Sequence, residues 1–118
     1  MLKGYKLVSI YNRTGEKLKI SYNLHKTDPE CVIYKENEIA KRNPKFGALC
    51  LFGTLKDALN YIDSLNIELD GLELWECEYE LSDDTEIWGE DGRMYFNAIP
   101  SSTVYADSIT LLSNIKIS

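Results

Sequence analysis

Residues 54–81 read TLKDALNYIDSLNIELDGLELWECEYEL and contain the two strongest secondary-structure patterns of the chain. Thr54 is a favourable helix N-cap, and a carboxylate at Asp57 suits the unpaired N–H groups of a first helical turn. Apolar residues then recur at the spacing of one helix face, namely Leu55, Ala58, Leu59, Ile62 and Leu65. We therefore predict an amphipathic helix over about 54–65, with Leu59 in the core.

The second half of this stretch, residues 72–81, alternates as a half-buried β-strand does. The residues predicted to face inward are Trp75, Cys77, Tyr79 and Leu81. The residues predicted to face outward are Glu76, Glu78 and Glu80.

Strand patterns also occur before and after this stretch. Residues 5–11 and 17–22 alternate on either side of a turn that contains Gly15, which is typical of a β-hairpin. A helical turn fits residues 38–42, and the further strand-like segments are 31–34, 48–52, 93–99 and 109–117. The pattern as a whole predicts an α+β fold, in which a mostly antiparallel sheet of about five to seven strands carries the helix on one face.

Length and composition fit one domain. The 118 residues are 44% hydrophobic and 27% charged, so the chain can bury a core, and we expect a single domain over 1–118. The longest apolar stretch, 48–52, is far too short to span a membrane, and the N-terminus lacks the pattern of a secretory signal. We therefore expect a cytoplasmic protein with no membrane contact.

Charge is distributed unevenly along the chain, whose net charge is −6. Residues 1–56 contain eleven Lys or Arg against five Asp or Glu, which gives +6. Residues 57–118 contain two against fourteen, which gives −12. The two halves therefore suit different binding partners.

The acidic half contains the first candidate site. Glutamates on alternate positions of one strand lie about 7 Å apart and repel one another unless cations such as Lys17 and Lys19 on a neighbouring strand offset them. Without that offset, the strip suits the basic surface of another protein. Trp88 in the adjoining loop is a candidate anchor for such a partner. The whole partner-binding set is Glu76, Glu78, Glu80, Asp83, Asp84, Glu86, Trp88, Glu90 and Asp91. Phosphate binding requires Lys and Arg, so we expect no direct nucleic-acid contact on this half.

The basic half contains an alternative site for a small anionic ligand or nucleotide, or for a minor enzymatic activity. His25 is the only histidine, and its ordinary pKa makes it the best candidate acid or base. The full alternative set is Arg13, His25, Lys26, Lys41, Arg42 and Lys45. A third interpretation is a structural subunit, whose oppositely charged halves pair head to tail in a homo-oligomer.

Known catalytic and cofactor motifs do not occur in the sequence. Cys31, Cys50 and Cys77 form no C-x-x-C pair, so we expect structural thiols. The acidic loop after residue 82 does not fit the EF-hand register, and neither phosphate-binding glycine motif is present. We expect no metal and no cofactor, and we favour a binding protein over an enzyme.

Four segments together resemble a family of small α+β domains of bacteria and their phages. These segments are the strand–helix junction 47–54 with Ala58, the Trp-Glu-Cys-Glu strand at 74–79, Pro100 followed by Thr103, and Ala106-Asp107-Ser108-Ile109-Thr110-Leu111-Leu112. The resemblance implies no activity and no site residues. It favours a phage or mobile-element accessory protein, and our leading interpretation is a non-catalytic module that inhibits or adapts a host protein through its acidic face.

Overall fold

Seven β-strands and one α-helix are present in the part of the chain that the computed structural model describes, namely residues 2–13, 15–21, 32–42, 48–65, 71–83 and 103–116. In chain order these elements are β1 (Leu2–Arg13), β2 (Glu16–Ser21), β3 (Ile33–Tyr34), β4 (Ile39–Lys41), β5 (Leu49–Phe52), α1 (Leu55–Leu65), β6 (Leu72–Leu81) and β7 (Thr103–Ile115). The pairings between these strands are antiparallel. The predicted α+β class and mostly antiparallel sheet are confirmed.

Local sequence accounts for the hairpin and for the helix start. β1 and β2 pair from Val8↔Ser21 to Arg13↔Glu16, and Gly15 in the turn has a φ of 81°, which a glycine adopts without strain. The Thr54 hydroxyl accepts a hydrogen bond from the Asp57 backbone N–H at 3.1 Å, as the predicted N-cap requires.

The sheet closes on itself. β1 pairs with β6, β6 with β7, and β7 with β5. β5 returns to β1 through the pair Tyr5↔Phe52, so these four strands form a ring. The second half of β1 pairs instead with β2, β2 pairs with β3, and β4 pairs with β7.

Two hydrophobic clusters lie on opposite faces of β1. Successive side chains of a strand point to opposite faces, so Leu7 and Val8 belong to different clusters. The larger cluster consists of Val8, Tyr34, Ala40, Leu49, Leu51, Trp75, Cys77, Tyr79, Ala106, Ile109 and Leu111. The helix cluster consists of Leu7, Phe52, Ala58, Ile62 and Leu74.

Two predicted core positions are wrong. Leu59 is 38% exposed, because the helix buries Ala58 and Ile62 and leaves Leu59 at the side of that stripe. Leu81 is 57% exposed, whereas the predicted inward residues before it, from Trp75 to Tyr79, are buried. The β6–β7 pairing shifts register between Glu80 and Leu81, and such a bulge interrupts the alternation that the prediction assumed.

Some predicted segments also differ from the observed secondary structure. Residues 39–41 form strand β4 in place of the predicted helical turn, because they pair with residues 108–110 of β7. β7 begins at Thr103, earlier than the predicted 109. The predicted strand at 93–99 lies outside the described residues. Within the described residues, no helix has the length and apolar character needed to cross a membrane.

Candidate functional site

The acidic strip, defined as Glu76, Glu78 and Glu80, lies on the outer face of β6 as predicted. The residues between and beside these glutamates, Trp75, Cys77 and Tyr79, are buried. Glu76 and Glu78 are half-buried, Glu80 is exposed, and the following Asp83 is also exposed. The strip is therefore available to a partner mainly at its Glu80 end.

Lys17 and Lys19, the cations that could have offset the acidic strip, do not lie on a strand beside it. The neighbours of β6 are β1 and β7, not β2. Lys3 of β1 lies opposite Glu78, and its Nζ is 3.8 Å from Oε1 of Glu76. Lys19 instead places its Nζ 5.4 Å from the centre of the Trp75 ring. The Lys3 side chain is 65% exposed, so this ion pair contributes at most about 1 kcal/mol.

Strand register places Lys41 of the basic set on the same surface as the acidic strip. Ile39, Thr110 and Glu78 form one row across β4, β7 and β6. Lys41, Ser108 and Glu80 form the adjacent row. Lys41 of the predicted basic site therefore lies two strands from Glu80 of the acidic strip, about 10 Å away at ordinary strand spacing.

Arg42, the other described side chain of the basic set, is held by β7 and by the residue after β6. Its Nη1 lies 3.6 Å from Oδ1 of Asp107 and donates to the Ser82 hydroxyl at 3.5 Å. Its backbone N–H donates to the Asp107 carbonyl at 3.0 Å. An anionic ligand would have to compete with Asp107 for this guanidinium, which disfavours the basic site.

Several candidate residues cannot be placed in this surface. Arg13 ends β1, but its side chain lies outside the described part of the structure. The residues that lie wholly outside the described segments are His25, Lys26, Lys45, Asp84, Glu86, Trp88, Glu90 and Asp91. Their roles stay predictions.

Lys6 is the charged residue that the sequence prediction missed. It is only 6% exposed, and its Nζ donates a hydrogen bond to the backbone carbonyl of Cys50. The same Nζ lies 5.6 Å from the centre of the Tyr34 ring, within the range of a cation–π contact. The signal in the sequence was its alternation with Val8 and Ile10, which places a lysine on an apolar strand face.

The shortness of the β1–β5 pairing accounts for the buried lysine. A Cβ on Gly4 would lie 2.8 Å from the Phe52 carbonyl oxygen, so this oxygen points toward β1. Carbonyls two residues apart on a strand point the same way, so the Cys50 carbonyl also points toward β1. The β1–β5 pairing consists of Tyr5↔Phe52. Lys6 therefore donates to the Cys50 carbonyl the hydrogen bond that a backbone N–H of β1 would donate if the β1–β5 pairing continued.

Burial controls the protonation of this region. Desolvation lowers the pKa of Lys6, although the nearby Cys50 and Cys77 act in the opposite direction. Desolvation also raises the pKa of Cys50, and it raises the pKa of Cys77 to about 12. Both thiols are therefore protonated at neutral pH, which weakens them as nucleophiles. Among the described residues, no group of three His, Cys, Asp or Glu side chains is placed to hold a metal ion.

Replacing Lys6 with methionine should remove a pH-dependent part of the stability. Lys6 has a lowered pKa when folded, whereas an unfolded lysine titrates near 10.5. Between those two values the unfolded chain binds more protons, so wild-type stability gains from this group as pH rises. The difference in unfolding free energy, wild type minus Lys6→Met, should rise by up to about 1.4 kcal/mol per pH unit in that window.

Urea denaturation of both proteins between about pH 7 and 9.5 measures this difference. Lys6 acts to lower the pKa of Cys50 and Cys77, so the titration of both thiols changes in the variant and contributes to the measured difference. Lys56→Met, at an exposed position of α1, controls for the loss of one positive charge. A difference that does not change with pH would contradict the lowered pKa of Lys6.

Comparisons with protein-family models, with curated proteins and with solved structures find no match to this chain. The resemblance to small bacterial and phage domains stays a prediction. The candidate site therefore depends on the geometry of the acidic strip and of its neighbours.

Proposed function

We propose that this chain is a non-catalytic protein-binding module whose acidic strip binds the basic surface of another protein. The observation that carries the proposal is which glutamates of the acidic strip form ion pairs. Among the described residues, Glu76 is in an ion pair with Lys3, whereas neither Glu78 nor Glu80 has an ion pair. Their charge is therefore available to attract a basic partner.

The surroundings of the strip support a protein partner. Ile39 is 62% exposed and lies in the same row as Glu78. Protein interfaces combine an apolar contact with a polar rim, and the charged rim accelerates association more than it strengthens the complex. The outer face of β6 and its neighbours offers both components.

A non-catalytic role agrees with the chemistry of the described thiols, whose pKa values are raised. The ion pair of Arg42 with Asp107 disfavours the alternative of an anion-binding basic half. The resemblance to phage domains supports the narrower proposal of an inhibitor or adaptor that acts on a host protein. In that proposal, Trp88 is the anchor and the loop carboxylates extend the acidic strip.

Reversing one charge of the strip tests the proposal on a partner isolated by affinity capture and identified by mass spectrometry. Glu78→Lys should lower the association rate constant by about threefold or more at low salt and flatten its salt dependence. Asp63→Lys, at an exposed position of α1, changes the net charge equally and is the matched control. Surface plasmon resonance at several salt concentrations measures both effects.

Equal association rates for these two variants would overturn a role for the acidic strip. Thermal melts check that each variant is folded. Trp88→Ala is expected to act differently, because a buried anchor controls dissociation and should mainly raise the off-rate.

A further inference from the structure

The outer surface of β4, β7 and β6 is positively charged on its β4 side and negatively charged on its β6 side. β4 exposes Ile39 and Lys41 and buries Ala40 between them. We call this surface the three-strand face. Its residues Ile39, Lys41 and Glu80 are exposed, Thr110 and Glu78 are half-buried, and Ser108 between Lys41 and Glu80 is buried. One side of the face therefore carries a cation beside an apolar residue, and the other side carries two carboxylates.

The opposite charges of this face do not neutralise each other within one chain. Lys41 and Glu80 share a row, but they stand on strands about 10 Å apart, with Ser108 of β7 between them. Among the described residues, neither side chain has an ion pair. Each is therefore available to an opposite charge on another molecule.

A second copy of the chain can place its negatively charged side over the positively charged side of the first copy. A two-fold axis parallel to β7 places β4 of one copy over β6 of the other. Residues of the same row then face each other across the interface. Lys41 then faces Glu80 of the second copy, and the same contact occurs twice. Ile39 packs against the aliphatic part of Glu78. Such an interface uses the same patch on both copies and closes at two subunits, whereas head-to-tail pairing of charged halves would form rings or open chains.

We infer that the three-strand face mediates weak self-association into a two-fold dimer. Three strands are about 14 Å wide, so the contact area is below the roughly 800 Å² per partner of stable interfaces. Exposed ion pairs contribute little each and are screened by salt. The dimer should therefore have a dissociation constant on the order of 100 μM and weaken as salt rises. Because it covers Glu78 and Glu80, it also competes with the partner of the proposed function.

A charge exchange between Lys41 and Glu80 tests this inference by sedimentation velocity. Wild type at protein concentrations from about 10 μM to 1 mM and at about 20 mM salt should pass from monomer to dimer. Lys41→Glu and Glu80→Lys should each weaken the dimer by about tenfold or more, since both contacts become repulsive. The double variant, with the charges exchanged, should recover the wild-type dissociation constant to within about threefold.

Control variants on α1 separate this contact from general charge effects. Lys56→Glu and Asp63→Lys make the same charge changes at exposed positions of α1, which packs on β1 and β5, and should leave the dimer intact. Ile39→Ser is a second probe that leaves every charge in place and should also weaken association. A monomer at all concentrations, or a double variant that does not recover, would overturn the inference. Neither result decides the proposed function, which is tested separately by the association rate of Glu78→Lys with the isolated partner.

Discussion

Leu74→Ala should lower the free energy of unfolding by about 2–5 kcal/mol. The Leu74 side chain is fully buried and joins β6 to the helix cluster beside Ala58 and Ile62. Removing three carbons there leaves a cavity between sheet and helix, and the antiparallel pairings of Leu74 with Leu7 and Ile115 limit how far the strand can move to fill it. Urea denaturation monitored by circular dichroism measures the change.

Leu59→Ala is the matched control, because it makes the same chemical change on the exposed side of α1. Leu59 is 38% exposed, and alanine has a higher helix propensity than leucine. We therefore expect a loss of no more than about 1 kcal/mol. A larger loss for Leu59→Ala than for Leu74→Ala would contradict the observed orientation of the helix.

Gly4→Ala should lower the unfolding free energy by about 1–3 kcal/mol or more, although it adds one methyl group. A Cβ at this position would lie 2.6 Å from Cδ1 of Leu51 and 2.8 Å from the Phe52 carbonyl oxygen. The second contact is with backbone, so β1 and β5 must move apart. That movement strains the Tyr5↔Phe52 pair that closes the ring and the hydrogen bond from Lys6 to Cys50.

Gly53→Ala is the control for adding a methyl group to a glycine. Within the described part of the chain its Cβ would meet only Cγ2 of Val104, at 3.2 Å, and that side chain can shift by a few tenths of an ångström. The smaller conformational freedom of the unfolded alanine chain also offsets part of any strain. Chemical denaturation should give a loss below about 1 kcal/mol, and equal losses for the two variants would argue against close packing at Gly4.

The alternation of residues 72–79 shows how much of the candidate site could be predicted. Trp75, Cys77 and Tyr79 are buried and the glutamates between them face outward, because a strand's period of two depends only on local backbone geometry. The prediction fails at Leu81, where the register of the β6–β7 pairing shifts. A bulge depends on the partner strand, so the sequence of β6 does not show it.

The neighbours of the acidic strip required the tertiary structure. Lys17 and Lys19 were one possible source of offsetting charge, but Lys3 of β1 lies beside the strip. Lys41 likewise lies in the row of Glu80 through β7, although the two are 39 positions apart in the chain. Strand order arises from pairings between distant segments, and local patterns are compatible with many such orders.

By itself the sequence determined the α+β class, the β1–β2 hairpin, the N-cap of α1 at Thr54 and the outward face of β6. Each of these depends on residues a few positions apart, whose spacing and capping chemistry act locally. Only the tertiary structure decided that the sheet closes between β1 and β5, that Lys6 is buried to satisfy the Cys50 carbonyl there, and that Leu59 is exposed. These features depend on which distant strands meet, because contact with distant segments determines which side chains lose water and which carbonyls lack a backbone donor.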